Sequence, residues 1–362
     1  MAHLTPSRRF GYACRSEPHS ASRAASTINV ICFGELMLRL SAPGCERLLQ
    51  TPSFDAEFCG AEANVAVGLA HFGVKVDMVT ALPENTIGDA AVNALRGFGV
   101  GTEHIIRCGN RLGICFIEAG AGYRPARVLY DRAGSSLAEV PAGAFDWSRA
   151  LEGADWLHIT GITPAVSRKA ADATLKAVQA ARELGVKVSC DANYRSTLWR
   201  YCESPIPIMT EIVKGVTLLS AGADDFEQML GLAGQADDYV SLFEALSAEA
   251  MDTFPNLQYV AGTVRDVRSA SSNGWSGVLR SRAGVLRAKR YEIDHIVERI
   301  GTGDAFTAGL LYGLVNGKAN QEALELAVAA GCLKHSIPGD LARMTPDEVE
   351  GLVSASSVRV RR

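Results

Sequence analysis

The sequence predicts an α/β fold, a three-layer α/β/α sandwich with a mostly parallel central sheet and a small β lid. Three observations support this prediction. Short apolar runs alternate with amphipathic segments along most of the chain, and two stretches break this alternation with β-type patterns. Near the C-terminus, a glycine-rich turn leads directly into a segment whose apolar residues have helical spacing.

The predicted strands of the central sheet are short runs of apolar residues, which is typical of a parallel sheet buried on both faces. They cover 28–33, 76–80, 156–160, 186–190, 216–219 and 259–262. Amphipathic segments with helical spacing lie between them, at 63–72, 90–98, 165–184 and 239–250. Strand and helix signals that alternate in this way indicate repeated βα units.

The stretches 36–59 and 112–132 predict the β lid. The first has alternating and irregular apolar residues, and the second predicts the strands 113–118 and 127–131, joined by a glycine-rich turn. Such an insertion could close over a reacting phosphate and exclude water. The alternative is a structural hairpin that only packs on the edge of the sheet.

The composition disfavours several classes of protein. The 362 residues are 48% hydrophobic and 21% charged with a formal net charge of -4, whereas nucleic-acid binding needs clustered Lys and Arg. The nine cysteines form no CxxC pair, which is typical of reduced thiols in a cytoplasmic protein. No apolar run reaches the roughly 18 residues of a membrane helix, so we expect a cytoplasmic protein.

The two ends of the chain differ in composition from the rest. Residues 1–27 are rich in Arg, Ser and Ala with the single acid Glu17, and we interpret them as a disordered, tag-like or mis-started extension. An organelle transit peptide is the alternative. We expect one folded domain over 28–355 and a basic tail over 356–362.

The strongest local signal is the run Ile300-Gly301-Thr302-Gly303-Asp304 at the start of a predicted helix. The first N–H groups of a helix lack intrahelical acceptors and lie at the positive end of its dipole. Glycines let the chain approach an anion closely, so this run predicts a phosphate-binding loop. The chain has no Walker-type GxxxxGK[ST] loop, which argues against a P-loop fold.

Asp304 has two interpretations, a helix N-cap or a catalytic base. A protein that transfers a phosphoryl group must orient the attacking hydroxyl, accept its proton and stabilise the charge on the moving group. Asp304 could perform the first two tasks and the loop N–H groups the third. The glycines on both sides of Thr302, which a cap does not need, favour the catalytic interpretation.

These motifs resemble the two signatures of the ribokinase-like (PfkB-type) sugar kinases. The C-terminal one is Gly-Thr-Gly-Asp followed by Ala-Phe-Thr-Ala-Gly, and the N-terminal one covers 60–70 with Phe72-Gly73 after it. Gly34-Glu35 after the first strand also fits. The resemblance runs from about residue 28 to the C-terminal region, and it implies a ribokinase-like fold and a carbohydrate kinase that uses ATP and Mg2+.

Within that family the chain is most similar to 2-keto-3-deoxygluconate kinases, on the stretches 130–135, 161–165, 190–199 and 336–340. The similarity implies phosphorylation of 2-keto-3-deoxygluconate at its terminal hydroxyl, giving 2-keto-3-deoxy-6-phosphogluconate. Two alternatives stay open: a kinase of another ketose or sugar acid, such as a fructokinase, and a sugar-binding relative with impaired catalysis.

The resemblance also implies substrate contacts from Gly60, Asn64, Tyr130, Arg132, Arg195 and Asp340. A guanidinium matches the two oxygens of a sugar-acid carboxylate. Arg195 follows a predicted strand, and open α/β sheets bind ligands at the carboxyl ends of their strands. The alternatives are that Arg195 pairs with Asp191, that Asn64 caps a helix and that Tyr130 packs in the lid.

The implied nucleotide contacts are Thr263, Arg265 and Gly274, in a stretch that departs from the TxGxxG pattern of the family. Many relatives organise Mg2+ with an Asn-x-x-Glu element, where this chain has Gly222 in place of the asparagine and Asp225 as the candidate metal ligand. We expect a sugar acid and ATP as partners. The open edge of the lid predicts a homodimer or a higher homo-oligomer.

Overall fold

A computed structural model of the protein describes residues 29–50 and 52–354. The strands are β1 (Asn29–Phe33), β2 (Met37–Ser41), β3 (Asp55–Cys59), β4 (Lys75–Leu82), β5 (Ile105–Arg107), β6 (Gly113–Glu118), β7 (Arg127–Asp131), β8 (Trp156–Thr160), β9 (Lys187–Asp191), β10 (Leu218–Ser220), β11 (Tyr259–Ser269), β12 (Ser272–Ser281), β13 (Gly284–Arg287) and β14 (Tyr291–Ile293). The helices are α1 (Ala61–His71), α2 (Thr86–Gly97), α3 (Ser136–Glu139), α4 (Trp147–Ala150), α5 (Ile162–Val166), α6 (Arg168–Leu184), α7 (Ile206–Val213), α8 (Ala223–Leu230), α9 (Tyr239–Thr253), α10 (Thr302–Val315), α11 (Asn320–Lys334) and α12 (Pro346–Ser354).

Ten strands of the described residues form the central sheet, in the order β13-β12-β11-β10-β9-β8-β1-β4-β5, with β14 also paired to β12. Within this order, neighbouring strands all pair in parallel from β11 through β10, β9, β8, β1 and β4 to β5. The strands β12, β13 and β14 add antiparallel pairs at one end. The prediction of a mostly parallel sheet is therefore confirmed, and the antiparallel end is an addition to it.

Helices cover both faces of this sheet, and β1 shows how. Every residue of β1 is buried. Ile31 and Phe33 belong to the core cluster shared with α6, α7, α8 and α9, while Val30 and Cys32 belong to the cluster shared with α1, α2, α10 and α11. Alternate side chains of a strand point to opposite faces, so an all-apolar strand needs a helical layer on each side.

The helix predicted over 165–184 is two helices, α5 and α6, that meet at Ser167. The backbone of Ser167 is extended, and its hydroxyl oxygen accepts the N–H of Ala170 at 3.1 Å. This N-cap satisfies a donor that the start of α6 would otherwise leave unpaired. The prediction of a single helix was therefore wrong. It arose because the helical spacing of apolar residues continues across Ser167.

The lid is a separate four-stranded sheet in the order β3-β2-β6-β7. Its strands β6 and β7 have the predicted bounds, and β2 pairs in parallel with β6. Met37, Cys59, Cys115 and Ile117 form a small buried cluster on the lid. The sequence-based prediction of a β lid is confirmed.

The predictions for 1–27 and for the tail at 356–362 lie outside the described residues. Within the described ranges, no helix is both long enough and apolar enough to cross a membrane. The cysteines of those ranges, from Cys32 to Cys332, are all free thiols.

Candidate active site

A cavity of about 870 Å³ lies between the lid and the carboxyl ends of the parallel strands. Glu35 follows β1, Asp191 ends β9, and both line it. The lid contributes Met37 and Tyr130, and the start of α10 closes another side. This is the edge of an open α/β sheet where ligands bind, because the strand ends and helix starts meet there.

The start of α10 has the geometry of an anion-binding turn. Gly301 precedes the helix with a left-handed φ of 80°, and a Cβ on it would lie 2.0 Å from the carbonyl oxygen of Asp340. A Cβ on Gly303 would meet nothing within 4 Å. Among the described residues, no acceptor is found for the N–H groups of Gly303 and Asp304. These two donors are therefore open to a ligand in the cavity.

Asp304 is held by a side chain from the other signature motif. Its Oδ2 accepts a hydrogen bond from Asn64 Nδ2 at 2.7 Å. Asn64 Oδ1 in turn accepts the N–H of Gly60, the residue before α1, at 3.3 Å. Asn64 thus lies inside α1, which begins without a side-chain cap, and its amide nitrogen binds Asp304.

The surroundings of Asp304 favour its protonated form. Burial raises the pKa of this carboxyl to about 7, with a further rise from Asp340, while the hydrogen bond from Asn64 and the charge of Arg195 oppose the rise. A carboxyl group accepts a proton most effectively when its pKa lies near the working pH. Asp304 therefore meets the chemical requirement of a base near neutrality.

Arg132 and Glu35 form a buried ion pair on the wall of the cavity. Arg132 Nε donates to Glu35 Oε2 at 2.6 Å, and the side chains are 6% and 2% exposed. Ser135 donates its hydroxyl to the other oxygen of Glu35. The Arg132 guanidinium lies 5.5 Å from the centre of the Tyr130 ring. Within the described residues Arg132 donates only through Nε, so its terminal nitrogens are available to a ligand.

A second buried carboxylate, Glu62, explains the glycine after β1. Thr160 and Thr163 each donate a hydroxyl to Glu62 Oε1 at 2.7 Å. Burial raises the pKa of Glu62, and these hydrogen bonds oppose the rise. A Cβ on Gly34 would lie 2.0 Å from the Glu62 carboxyl carbon, so only glycine leaves room for that group.

Arg195 is an exposed cation at the cavity, and its positive charge acts to lower the pKa of Asp191, the structural partner considered for it. Its Nη1 donates to the carbonyl of Tyr194 at 2.9 Å. Asp191 instead accepts a hydrogen bond from Asn193 at 3.3 Å, and no ion pair of the described residues joins it to Arg195. Burial, Asp225 and Asp304 raise the pKa of Asp191.

The residues expected to bind the nucleotide do not all reach the cavity. Arg265 does: its Nη2 donates to Thr302 Oγ1 at 3.0 Å, and its guanidinium lies 5.1 Å from the Trp275 ring centre. Burial lowers the pKa of Arg265 to about 10. Thr263 is not among the lining residues, and Gly274 packs against the guanidinium of Arg290 instead. Only Arg265 thus stands at the phosphate loop.

Asp225, the predicted metal ligand, lines the cavity but already has two partners. Its Oδ1 accepts the N–H of Tyr194 at 2.7 Å, and its Oδ2 accepts the N–H of Gly222 at 2.7 Å. The second bond holds the start of α8. No group of three or more His, Cys, Asp or Glu in the described chain could hold a metal ion. A metal ligand at Asp225 stays a prediction, because each of its oxygens accepts one N–H group and keeps a second lone pair.

Asp340 lines the cavity, but its carboxylate is paired with Arg39 of β2. The same arginine donates from Nη2 to Glu298 at 2.7 Å. The Asp340 carboxylate, predicted to contact the substrate, thus already has an internal partner in Arg39. Neither Arg39 nor Glu298 was predicted as a functional residue.

The family model for pfkB family carbohydrate kinases matches residues 27–345. The chain belongs to this family. This carbohydrate kinase is 32% identical over 346 residues to a 2-dehydro-3-deoxygalactonokinase of Haloferax volcanii, covering 93% of this chain and 100% of that protein. It is 26% identical over 318 residues to a 2-dehydro-3-deoxygluconokinase of Bacillus subtilis, covering 87% and 91%.

Solved structures show the same likeness. The crystal structure of a 2-dehydro-3-deoxygluconokinase of Thermotoga maritima superimposes with a TM-score of 0.87 at 43% identity. The match covers 91% of this kinase and 100% of that chain. The ribokinase-like fold and the kinase class predicted from the two signatures are therefore confirmed.

The cavity of this carbohydrate kinase brings together most of the predicted site residues: Gly60, Asn64, Tyr130, Arg132, Arg195, Asp225, Arg265, Gly301, Thr302, Gly303, Asp304 and Asp340. It also holds residues that the sequence analysis did not predict as site residues, chiefly Glu35, Glu62 and Asp191. A signal existed for two of them, since Asp191 ends a buried strand and Glu35 comes two residues after another. Glu62 had none beyond its place in the N-terminal signature.

Proposed function

We propose that this kinase transfers a phosphoryl group from ATP to the terminal hydroxyl of 2-keto-3-deoxygluconate, giving 2-keto-3-deoxy-6-phosphogluconate. One observation carries the proposal. Asp304, with a pKa raised to about 7, stands beside the open N–H groups of the α10 turn in a cavity that also presents Arg132 and Arg195. A base, an anion cradle and two guanidinium groups together suit an anionic substrate with a hydroxyl to phosphorylate.

In the proposed reaction the terminal hydroxyl oxygen attacks the γ-phosphorus of ATP, and its proton passes to Asp304. The bond between the γ-phosphorus and the bridging oxygen breaks, and ADP leaves with that oxygen. The N–H groups of Gly303 and Asp304 donate to the oxygens of the moving phosphoryl group, where negative charge must be stabilised. Asn64 holds the Asp304 carboxylate in place for the proton transfer.

The sugar-acid carboxylate is proposed to bind Arg132 and Arg195. Glu35, which accepts the Ser135 hydroxyl, binds Nε of Arg132 and so orients its terminal nitrogens without using them. Such a fixed guanidinium loses little conformational freedom when it binds a carboxylate. Tyr130, under the Arg132 guanidinium, would pack against the carbon chain of the substrate.

Mg2+ enters the proposal only as part of MgATP. The described side chains contain no group of three or more His, Cys, Asp or Glu that could hold a metal ion, so Asp225 could supply at most part of a metal site. Mg2+ often binds mainly to nucleotide phosphates and water, with few protein ligands. Arg265, bonded to Thr302 at the phosphate loop, is proposed to offset part of the phosphate charge.

The second candidate substrate is 2-keto-3-deoxygalactonate, which differs from the first in its configuration at C4. The name of the Haloferax volcanii relative favours it, at 32% identity over 93% of this chain. A neutral ketose such as fructose suits the cavity less well, because it has no carboxylate for Arg132 and Arg195 to bind. The open N–H groups of the phosphate loop and the carboxyl of Asp304 favour a kinase over a relative that only binds sugar.

The test is ADP release with MgATP and each of five compounds: the two keto-deoxy acids, gluconate, fructose and ribose. We expect turnover on one or both keto-deoxy acids, and Asp304→Asn should abolish it. Turnover on fructose or ribose alone would reject the proposed sugar-acid site and keep the kinase. Absence of turnover on all five would reject the proposal as a whole.

We also propose that the kinase forms a homodimer through its lid. Strand β7 lies at the edge of the lid sheet, and its Leu129 and Tyr130 are 51% and 37% exposed. An edge strand with exposed apolar side chains tends to pair with another chain. Sedimentation analysis of Leu129→Lys against the wild type tests this: an unchanged oligomeric state would count against the β7 edge.

A further inference from the structure

Two strands of the lid hold residue 340 from different sides. Arg39 of β2 donates Nη1 to the Asp340 carboxylate, and Glu57 of β3 accepts the Asp340 N–H at 2.9 Å. The Asp340 carbonyl oxygen packs directly against Gly301, where it would lie 2.0 Å from an added Cβ. Residue 340 therefore stands between the lid and the first residue of the phosphate loop.

Arg39 also reaches the segment that enters the phosphate loop. Its Nη2 donates to Glu298 Oε2 at 2.7 Å. The other oxygen of Glu298 accepts the N–H groups of Arg299 at 2.9 Å and Ile300 at 3.1 Å. One guanidinium thus binds both segments that position Gly301, through two carboxylates that are distant in sequence.

The guanidinium itself is fixed to the lid and shielded from water. Arg39 Nε donates to Ser41 Oγ of the same strand at 2.7 Å. The side chain of Arg39 is 4% exposed, and those of Glu298 and Asp340 are 10% and 7% exposed. Interactions between charges are strongest where water is excluded, and Arg presents its donors in a rigid fork. A shift of β2 would therefore carry both carboxylates with it.

The loop before residue 340 has its own buried support. Lys334, at the end of α11, donates to the carbonyl oxygens of Ile337 at 3.0 Å and Gly339 at 2.6 Å. These two hydrogen bonds hold the loop in one conformation. A rigid loop transmits a displacement of Asp340 to Gly301 instead of absorbing it.

We propose that Arg39 is a positioning residue that couples the sugar-binding lid to the phosphate loop. The proposal rests on the sugar kinase function proposed above. Arg39 does not line the catalytic cavity, so it acts only through Asp340 and Glu298. Sugar acid bound under the lid fixes β2, and Arg39 transmits that position to the turn whose N–H groups receive the phosphate. Sugar and nucleotide should then each bind more tightly in the presence of the other.

The test compares the wild type with Arg39→Lys, which keeps the charge but cannot bind two carboxylates as a fork. Calorimetry measures the Kd of the non-hydrolysable ATP analogue AMP-PNP, which keeps the γ-phosphate, with and without saturating sugar acid, and ADP release gives kcat. In the wild type we expect the sugar acid to tighten AMP-PNP binding by about 5- to 150-fold. In Arg39→Lys this factor should fall to near one and kcat by about 100-fold, since small misplacements of reacting groups are that costly. The Kd of each ligand alone should change by less than about threefold, which is below the smallest expected coupling factor of about fivefold.

The matched control is Arg111→Lys, in a lid ion pair with Asp131 that does not touch the phosphate loop. It should keep the wild-type coupling. If Arg39→Lys does not fold, Glu298→Gln removes the same link from the other side and should reduce the coupling factor. No coupling in the wild type, wild-type coupling in a folded Arg39→Lys, or a loss of AMP-PNP binding in Arg39→Lys without sugar acid would each overturn the inference. An inactive wild type would overturn the proposed function. An active wild type with an Arg39→Lys variant of unchanged coupling would overturn this inference alone.

Discussion

The hydrogen bond from Asn64 to Asp304 should set the pH at which the kinase becomes active. Asn64→Leu removes this donor while keeping a side chain of similar size, so the Asp304 carboxylate loses its 2.7 Å partner. A hydrogen bond to a charged group contributes about 1.5–3 kcal/mol. At about 1.4 kcal/mol per pKa unit, its loss raises the pKa of Asp304 by about one to two units.

The expected loss of activity follows from that shift. With a pKa of about 7, about half of Asp304 is ionised at pH 7 in the wild type. After a rise to about 8 or 9, the ionised fraction at pH 7 falls to about a tenth or a hundredth. Since only the ionised carboxylate accepts the proton, kcat/KM at pH 7 should fall by about 5- to 50-fold. The rate should recover as the pH rises through the new pKa.

The assay is the pH profile of kcat/KM for ADP release between about pH 5 and about pH 10. Asn93→Leu, at an exposed position of α2, is the matched control and should keep the wild-type profile. An Asn64→Leu variant that loses activity equally at every pH, with an unmoved midpoint, would refute the reasoning. Asn64 would then act on substrate geometry instead of on the ionisation of Asp304.

Three further predictions concern stability and the loop. Asp304→Asn should raise the unfolding temperature at about pH 8, because burial raises the pKa of Asp304 and its charged form is penalised above about 7. The gain should shrink as the pH falls and vanish below about 4, where the carboxyl is protonated in both the folded and the unfolded state; calorimetry across that range checks it. Arg132→Met should lower the free energy of unfolding by about 3–5 kcal/mol, because it leaves Glu35 charged and buried. The double variant Arg132→Met with Glu35→Gln should lose less free energy than the sum of the two single changes, and urea titrations measure all three losses. Gly303→Ala should fold at least as stably as the wild type, because an added Cβ meets no protein atom and Ala favours a helix, yet it should lose most activity by filling the phosphate site. Gly301→Ala should lose both stability and activity, and thermal melts beside ADP-release assays distinguish the two.

Local patterns predicted much of the fold. The strands β6 and β7 follow from alternation around a glycine-rich turn, and the start of α10 follows from two glycines before an apolar helical period. The antiparallel end of the sheet was not predicted. The second half of β11 is mostly exposed, so it has no apolar run to indicate a strand. Such a strand forms because β12 pairs with it, and no local sequence pattern indicates that pairing.

The sequence predicted those residues of the candidate site that lie in recognisable motifs. It did not predict the contacts between segments that are distant in the chain. Asn64 and Asp304 lie in separate signatures, but their hydrogen bond spans 240 positions and depends on how α1 packs against α10. Arg39 stands in a short lid strand, where a charged residue is ordinarily a solvent-facing one. Its burial and its two carboxylate partners become visible only when the lid and the loops around Glu298 and Asp340 are folded together.

The Arg132–Glu35 pair also limits how this kinase could change its substrate in evolution. On the proposed function, a change towards neutral sugars would require replacing Arg132. Replaced alone, it leaves Glu35 as a buried charge whose sole remaining side-chain partner among the described residues is Ser135. The first step on that route therefore damages folding before it yields a new specificity. Paired changes at 35 and 132 avoid this, so the proposed preference for an acidic sugar should be harder to lose by single substitutions than to refine.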